Sequence, residues 1–278
     1  MSPDFPLINL INSATLDDIR GYSATCANLS NLPIGEITSI DYITIDDMKY
    51  ADQWTGPHFA YNIHDTGYRN TSMPQSVDIA VFGCSFTFGV GLPNEMIWSS
   101  LLADKLNMSV LNFGLPGSSA KTAMDLFLIV SKHIKIKYAI FLLPSHTRIQ
   151  MAKTHPKINI TNCISLNSKF GSRLADAYEL NCEELYKHYP NEEMLKVLRN
   201  DLYLVDYVSA LRGIKTFYSS WDAETYSFMK SMNLTNPIIP PWMSKPAELA
   251  KTDFARDKMH PGPKHHQYWA NTILEYIK

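Results

Sequence analysis

The segment VDIAVFGCSFTFGVG, residues 77–91, decides the fold. Its first six residues form a short apolar run that stops at Gly83, which predicts a buried strand over Val77–Phe82. Gly83 allows the backbone to turn sharply, and Ser85 follows where a strand would pass into a helix. The segment therefore predicts a strand, a tight turn and an exposed hydroxyl at the carboxyl end of that strand.

The same order of strand, loop and helix continues along the chain after this segment, through a second and a third predicted strand. Apolar spacing predicts a helix over Met96–Leu106 and a strand over Val110–Phe113, then a helix over Ser118–Ile134 and a strand over Tyr138–Leu143. The elements predicted after residue 190 are helices at Glu192–Leu211, Ala223–Met232 and Pro263–Ile277, a strand at Ile214–Ser219 and an edge segment at Ile238-Ile239. Alternating buried strands and helices predict an α/β fold, a flavodoxin-like three-layer α/β/α sandwich with a parallel sheet.

Two stretches do not follow this rhythm. Residues 1–75 are weakly periodic and predict an N-terminal extension packed on the core, which leaves 76–278 as the main domain. The polar, Asn-rich stretch at about 145–190 predicts an insertion near the mouth of a site.

The composition limits the classes of partner. With 278 residues, 45% hydrophobic and 19% charged, the chain is typical of a globular protein. A net charge of −2 without long charged runs gives no reason to expect nucleic acid as a partner. We find no membrane span and no signal peptide, so we expect a cytoplasmic protein, and the oligomeric state stays open. The cysteines, which lack metal-ligand spacing, are expected to be reduced thiols; they are Cys26, Cys84, Cys163 and Cys182.

Functional groups of a parallel sheet collect after the carboxyl ends of its strands, and Ser85 lies at such a place. A turn serine that caps a helix or binds a phosphate is the alternative. The dinucleotide fingerprint GxGxxG and the P-loop GxxxxGK[ST] are both absent, which makes a nucleotide site the weaker hypothesis. The elbow GxSxG of α/β-hydrolases also fails, because Thr87 occupies its second glycine position.

Two further loops carry polar groups or glycines near strand or helix ends. Asn112–Ser119 holds two glycines before a helix, which can bring backbone N–H groups to a reacting carbonyl oxygen. In Asp257–Gly262, an acid and an imidazole stand three residues apart, so Asp257 could hold the tautomer of His260 that accepts the proton of Ser85. Taken alone, each loop is also compatible with a structural turn.

Together, these loops resemble the conserved blocks of the SGNH/GDSL hydrolases. Residues 83–89 resemble the first block, GDSxTxG, residues 112–117 resemble the second, and residues 257–262 resemble the fifth, DxxHPG. Residues 61–69 are also similar to a segment that precedes the first block in many of these proteins. The resemblance implies a catalytic triad of Ser85, Asp257 and His260, with the Ser85 and Gly117 amides forming an oxyanion hole.

The chain departs from the family pattern at two places. Cys84 replaces an Asp that supports the loop in the family, and we expect a packed thiol there. The third block, normally GxND, corresponds to residues 143–148, which contain no Asn. His146 falls about where that Asn would be, and Arg148 lies nearby. Either side chain could supply the missing oxyanion donor, and Arg148 is also a candidate for contact with substrate.

The resemblance implies a serine esterase, a carboxylic ester hydrolase that removes an acyl group such as acetyl from a carbohydrate or small acyl ester. It implies no metal and no cofactor. One alternative is an acyltransferase on the same scaffold, and another is a non-catalytic carbohydrate-binding protein. The missing Asn favours the latter, whereas the presence of Ser85, Asp257 and His260 opposes it.

Other histidines and aromatic residues have weaker assignments. His265 and His266 lie in the last predicted helix, and at least one is expected at the surface. Trp54, Trp221 and Trp242 are expected among core and rim aromatics, with a sugar-binding platform as the alternative.

Overall fold

The computed structural model describes residues 35–37, 61–64, 68–155, 158–165, 191–242, 253–256 and 260–277. The strands within these ranges are β1 (Gly35–Ile37), β2 (Tyr61–Ile63), β3 (Ser76–Gly83), β4 (Val110–Gly114), β5 (Lys135–Leu143), β6 (Arg148–His155), β7 (Ile158–Ser165) and β8 (Lys215–Ser220). The α-helices within them are α1 (Ser85–Phe88), α2 (Trp98–Leu106), α3 (Ala120–His133), α4 (Asn191–Arg212), α5 (Ala223–Ser231) and α6 (Pro263–Ile277).

A parallel sheet of four strands forms the centre of the fold, in the order β4-β3-β5-β8. Beyond β8, a parallel bridge between Tyr218 and Ile238 continues the sheet by one short segment, where the edge segment was predicted. Helices α3 and α4 cover one face, and α2 and α6 cover the other. The predicted three-layer α/β/α sandwich with a parallel sheet is confirmed.

The centre of β3 is a continuous apolar run because both of its faces are buried. On β3, Ala80 and Phe82 pack into the core beneath α3 and α4, whereas Ile79 and Val81 pack into the core beneath α2 and α6. Alternate side chains thus enter different cores, so no position of the strand centre favours a polar residue.

An aromatic ladder crosses the sheet just before its carboxyl edge. Phe82 stacks on Phe113 of β4 and on Phe141 of β5, with ring centroids 5.3 Å and 5.1 Å apart. Phe141 in turn stacks on Tyr218 of β8 at 5.5 Å. These residues are also backbone partners in the strand register. Because cross-strand aromatic pairs stabilise a register, the ladder aligns the strand ends from which the candidate site is built.

Asp206 of α4 holds the segment that follows α5. Its buried carboxylate accepts hydrogen bonds from the backbone N–H groups of Thr235 (2.6 Å) and Asn236 (3.2 Å). The hydroxyl of Tyr218 donates to it at 3.4 Å. Burial and the adjacent carboxylate raise the pKa of Tyr218 well above its ordinary value. These bonds place Ile238 beside β8.

The structure adds elements that the sequence did not predict. β1 pairs antiparallel with β2, and β6 pairs antiparallel with β7 as a hairpin within the predicted insertion. Most of residues 1–75 and residues 166–190 lie outside the described ranges, so the extension, the insertion and the domain boundaries remain predictions. Within the described ranges, no helix is both long enough and apolar enough to cross a membrane.

Asp201 lowers the stability of the packing of α4 on α3. Its carboxylate lies 4.0 Å from Lys121 Nζ, which makes a closer bond of 2.8 Å with Asp125. Burial is the main cause that raises the pKa of Asp201 to about 6; Lys121 partly opposes the rise and Asp125 adds to it. The carboxylate form of Asp201 is therefore disfavoured in the folded state.

We expect Asp201→Asn to stabilise the protein at alkaline pH. The folded-state pKa lies above the unfolded value, so the stability contributed by the protonated form is complete below about pH 4 and is lost as pH rises through about 6. The variant should raise the free energy of unfolding at pH 8 by about 1–3 kcal/mol, with a smaller gain at pH 5. Urea unfolding at both pH values measures this. Asp104→Asn, at an exposed position on α2, serves as the control; equal gains in the two variants would contradict the assignment.

Candidate active site

The turn after β3 presents Ser85 at the carboxyl edge of the sheet. A Cβ atom at Gly83 would lie 2.3 Å from Thr87 Oγ1 and 2.4 Å from the carbonyl oxygen of Leu142, so only glycine fits there. The chain then closes into α1, where the Gly89 N–H donates to the Ser85 carbonyl at 2.9 Å. Ser85 is the first residue of α1 and is 8% exposed.

The loop after β4 is bonded directly to this turn. The carbonyl oxygen of Gly83 accepts hydrogen bonds from the Leu115 N–H at 2.9 Å and from the Ser118 hydroxyl at 3.2 Å. Between these two donors lies Gly117, which has a φ of 77° and is exposed. Gly117 is therefore held in the loop that contacts the Ser85 turn, where the resemblance places an oxyanion amide.

The side chain of Asn112 connects the turn after β3 with the loop after β4. Its side-chain amide donates to the Thr87 carbonyl at 2.8 Å and accepts from the Gly114 N–H at 2.8 Å. The backbones approach so closely that a Cβ atom at Gly114 would lie 2.3 Å from the Phe88 nitrogen. Asn112 and Gly114 of the second block thus have structural roles, because they fix the distance between the two loops.

Arg69 clamps the far end of α1. Its buried guanidinium donates to three backbone carbonyls, those of Phe88 (3.0 Å), Gly89 (2.8 Å) and Leu92 (2.6 Å). Tyr61 lies beneath the guanidinium, and its hydroxyl accepts from the Gly91 N–H at 2.6 Å. Tyr61 and Arg69, from the two ends of the lead-in segment, therefore hold the Ser85 turn in place, a role that their sequence alone did not reveal.

The loop before α6 brings His260 to the Ser85 turn. The Arg256 N–H donates to the Gly91 carbonyl at 3.0 Å, and the Ala255 N–H donates to the His260 carbonyl at 2.9 Å. The His260 ring meets the ring of Phe86, the residue after Ser85, edge to face with centroids 5.7 Å apart. Residues far apart in the sequence thus meet at one edge of the sheet.

The triad itself is only partly described. The Ser85 hydroxyl makes its one hydrogen-bonding contact within the described ranges with Cys84 Sγ, at 4.0 Å. Asp257 lies outside the described residues. The bonds from Ser85 to His260 and from His260 to Asp257 therefore remain predictions; catalytic hydrogen bonds often tighten only when substrate binds.

Trp221 forms a cluster beside the Ser85 turn, here called the Trp221 shelf, together with Cys84, Phe86 and Arg148. Its indole N–H donates to the sulfur of the fully buried Cys84 at 3.2 Å. Its ring lies 5.3 Å from that of Phe86 and 5.2 Å from the guanidinium carbon of Arg148. Arg148 also donates to the carbonyl of Ser118 at 3.2 Å. The sequence signal for Trp221 was its place directly after the strand β8.

His146 is engaged by helices α4 and α5. Its backbone N–H donates to Thr225 Oγ1 at 2.9 Å, and its ring Nδ1 lies 3.0 Å from the same oxygen. Thr225 donates its own hydroxyl proton to Asp222, and its oxygen accepts from the His146 backbone N–H. The other ring nitrogen contacts Asn191 Oδ1. An oxyanion role for His146 would require one of these ring contacts to break.

The structure corrects the expectation for the last helix, because His265 and His266 are both buried. The Nδ1 atom of His266 accepts from the Trp98 N–H at 3.0 Å. Burial is the main cause that lowers the pKa of His266 well below its ordinary value, and the nearby positive groups lower it further. The His265 N–H donates to the Asp253 carboxylate at 2.7 Å. This capping bond anchors the start of α6, which the His260 loop precedes.

Trp221 and Trp242, for which the sequence left core and rim positions open, differ in position. Trp242 is 1% exposed and packs against His265, His266 and Trp269, which places it in the core. Trp221 is partly exposed at the rim of the site. Trp54 lies outside the described residues.

No protein-family model matches the chain, and no curated protein matches its sequence. Solved structures similar to it include the esterase EstA from Pseudoalteromonas sp., at 13% identity and a TM-score of 0.45 over 73% of this chain and 97% of that one. A protein described as lipolytic and of the G-D-S-L family, from Desulfitobacterium hafniense, matches at 12% identity and a TM-score of 0.41 over 73% and 99%. The acetyl xylan esterase Est2A from Butyrivibrio proteoclasticus matches at 14% and 0.41 over 75% and 64%.

Proposed function

We propose that this chain is a serine ester hydrolase with Ser85 as its nucleophile. The observation that carries the proposal is the meeting of three separate loops at one edge of the sheet, with the His260 ring against the residue that follows Ser85. A nucleophilic serine requires a base nearby, and an imidazole packed against the next residue fits that requirement, whereas a turn serine with a purely structural role requires none. The hydroxyl of Ser85 also makes no bond that would suggest a capping role, since its contact within the described ranges is a sulfur 4.0 Å away.

In this mechanism the Ser85 oxygen attacks the ester carbonyl while His260 accepts its proton. The C–O bond to the alcohol then breaks, and His260 returns the proton to the leaving oxygen. Water repeats the sequence on the acyl-enzyme and releases the acid. Asp257 orients the imidazole and stabilises its charged form.

The oxyanion hole is assigned to two backbone amides, those of Ser85 and Gly117. The hydrogen bonds of Gly83 to Leu115 and Ser118 support the position of the second amide. We assign His146 a positioning role at helix α5, because both of its ring nitrogens already have partners. The third-block Asn thus has no replacement from His146, and we expect a hole with fewer donors.

A fluorophosphonate probe tests the proposal on the wild-type protein. We expect covalent labelling at Ser85, located by peptide mass spectrometry, and hydrolysis of at least one member of a panel of p-nitrophenyl esters and acetylated sugars. Labelling without any hydrolysis would instead favour the acyltransferase, in which an alcohol replaces water. Binding of acetylated sugars without labelling would favour the carbohydrate-binding protein and overturn the esterase.

A further inference from the structure

We propose that Arg148 selects esters that carry a negative charge, a carboxylate or a phosphate, close to the scissile bond. This inference rests on the proposed function, because it names the class of substrate for the same site. The first observation is the position of the Arg148 guanidinium, which contacts both the loop of Gly117 and the ring of Trp221.

The guanidinium is preorganised by two contacts. One N–H donates to the Ser118 carbonyl, directly after Gly117, and the guanidinium carbon lies 5.2 Å from the centre of the Trp221 ring. An arginine stacked on an aromatic ring loses little further side-chain freedom when it binds an anion. Its remaining N–H donors form a planar fork that matches a carboxylate or phosphate.

The charge of Arg148 has no acidic partner within the described ranges. No carboxylate there lies within 4.0 Å of its nitrogens. The acid next to the shelf, Asp222, instead accepts from the Thr225 N–H at 2.9 Å and from the Thr225 hydroxyl at 2.7 Å. A partly exposed cation that is fixed in place at the edge of a reaction site is suited to bind an anionic part of a ligand.

Two pairs of isosteric esters test the charge on each side of the ester bond. The acyl-side pair is the p-nitrophenyl half-ester of glutaric acid and p-nitrophenyl valerate. The alcohol-side pair is p-acetoxybenzoate and p-acetoxybenzamide. In the wild-type protein, we expect kcat/KM for the anionic member of one pair to exceed that of its neutral partner by about 10-fold or more. The pair that responds identifies the side on which the charge lies.

Arg148→Met should reduce that ratio to within about twofold of the ratio for the uncatalysed esters, and Arg148→Lys should restore part of it. Arg199→Met is the matched control, because Arg199 also lies over an aromatic ring, that of Phe228, but on helix α4. It should leave the ratio unchanged. Equal ratios in wild type and Arg148→Met would overturn the proposal, and an equal loss for both members of a pair would assign Arg148 a general role in the oxyanion hole.

A binding measurement separates this inference from the proposed function. Calorimetric titration with N-phenylglutaramic acid, a non-hydrolysable amide with a free carboxylate, needs no turnover. We expect wild type to bind it at least about 10-fold more tightly than Arg148→Met does, and N-phenylvaleramide to show no such difference. Charge-dependent binding without ester hydrolysis would contradict the esterase proposal and support the anion site. Ester hydrolysis without charge dependence would support the esterase proposal and contradict the anion site.

Discussion

Replacing Ser85 with alanine is expected to abolish covalent labelling and to lower kcat/KM on any accepted ester by about 10³-fold or more. The loss is large because alanine has no oxygen to attack the carbonyl, and the remaining oxyanion amides act only on direct attack by water. Initial rates and fluorophosphonate labelling of the variant measure this directly.

The same variant should fold normally. The Ser85 hydroxyl contributes one weak contact to the described structure, with Cys84 Sγ at 4.0 Å, so the free energy of unfolding should change by less than about 1 kcal/mol. Ser227→Ala, at an exposed serine on α5, is the matched control and should keep full activity. If Ser85→Ala retained both label and turnover, the neighbouring Cys84 thiol would become the nucleophile to test by Cys84→Ala.

The parallel sheet could be predicted from sequence because its information is local. Ile79–Phe82 and Ala139–Leu143 are buried on both faces, so they appear as uninterrupted apolar runs, and the two strand segments end at Gly83 and Pro144. The helices α3 and α6 likewise show an apolar face at helical spacing. Observed ends differ from the predicted ones by at most three residues, with the largest difference at the start of β5, which is Lys135 instead of Tyr138.

The hairpin β6–β7 was missed because its sequence is mostly polar. Ile149 and Met151 alternate with polar residues, as do Ile158 and Ile160, and a Pro-Lys pair separates the two runs. Such alternation predicts strands when it is weighed by period rather than by mean hydropathy. A strand pair with alternating polar residues therefore gives a weaker signal than a buried parallel strand.

The loops of the candidate site could be predicted from the sequence, but the contacts that hold them in place could not. Gly83, Ser85 and His260 stand in short motifs, whereas Arg69 and Trp221 act through contacts that only the tertiary structure brings together. The burial of His265 and His266 was also missed, since a histidine pair in an amphipathic helix usually has one exposed member. Their burial depends on backbone bonds to Asp253 and from Trp98 that no spacing rule predicts.

His260→Gln is expected to lower kcat/KM by about 10³-fold or more and to slow labelling of Ser85 to a similar extent. Glutamine keeps the size and polarity of the side chain, but it cannot accept the proton of Ser85 and return it to the leaving oxygen. Single-turnover labelling rates and steady-state kinetics measure both effects.

The control for His260 is His133→Gln, at the C-terminal end of α3 and outside the three loops of the site. It should leave kcat/KM unchanged, and both variants should unfold at the wild-type urea concentration, because His260 is partly exposed and makes its described backbone bond through its carbonyl oxygen. Wild-type kcat/KM in His260→Gln would exclude His260 as the base. The next candidate would then be His265, whose Nδ1 lies 3.7 Å from the Asp253 carboxylate. Its 2% exposure argues against that role, since a catalytic base must be accessible to the substrate and to the attacking water. The ring of His260, which is partly exposed and lies against Phe86, the residue after Ser85, is the better placed of the two.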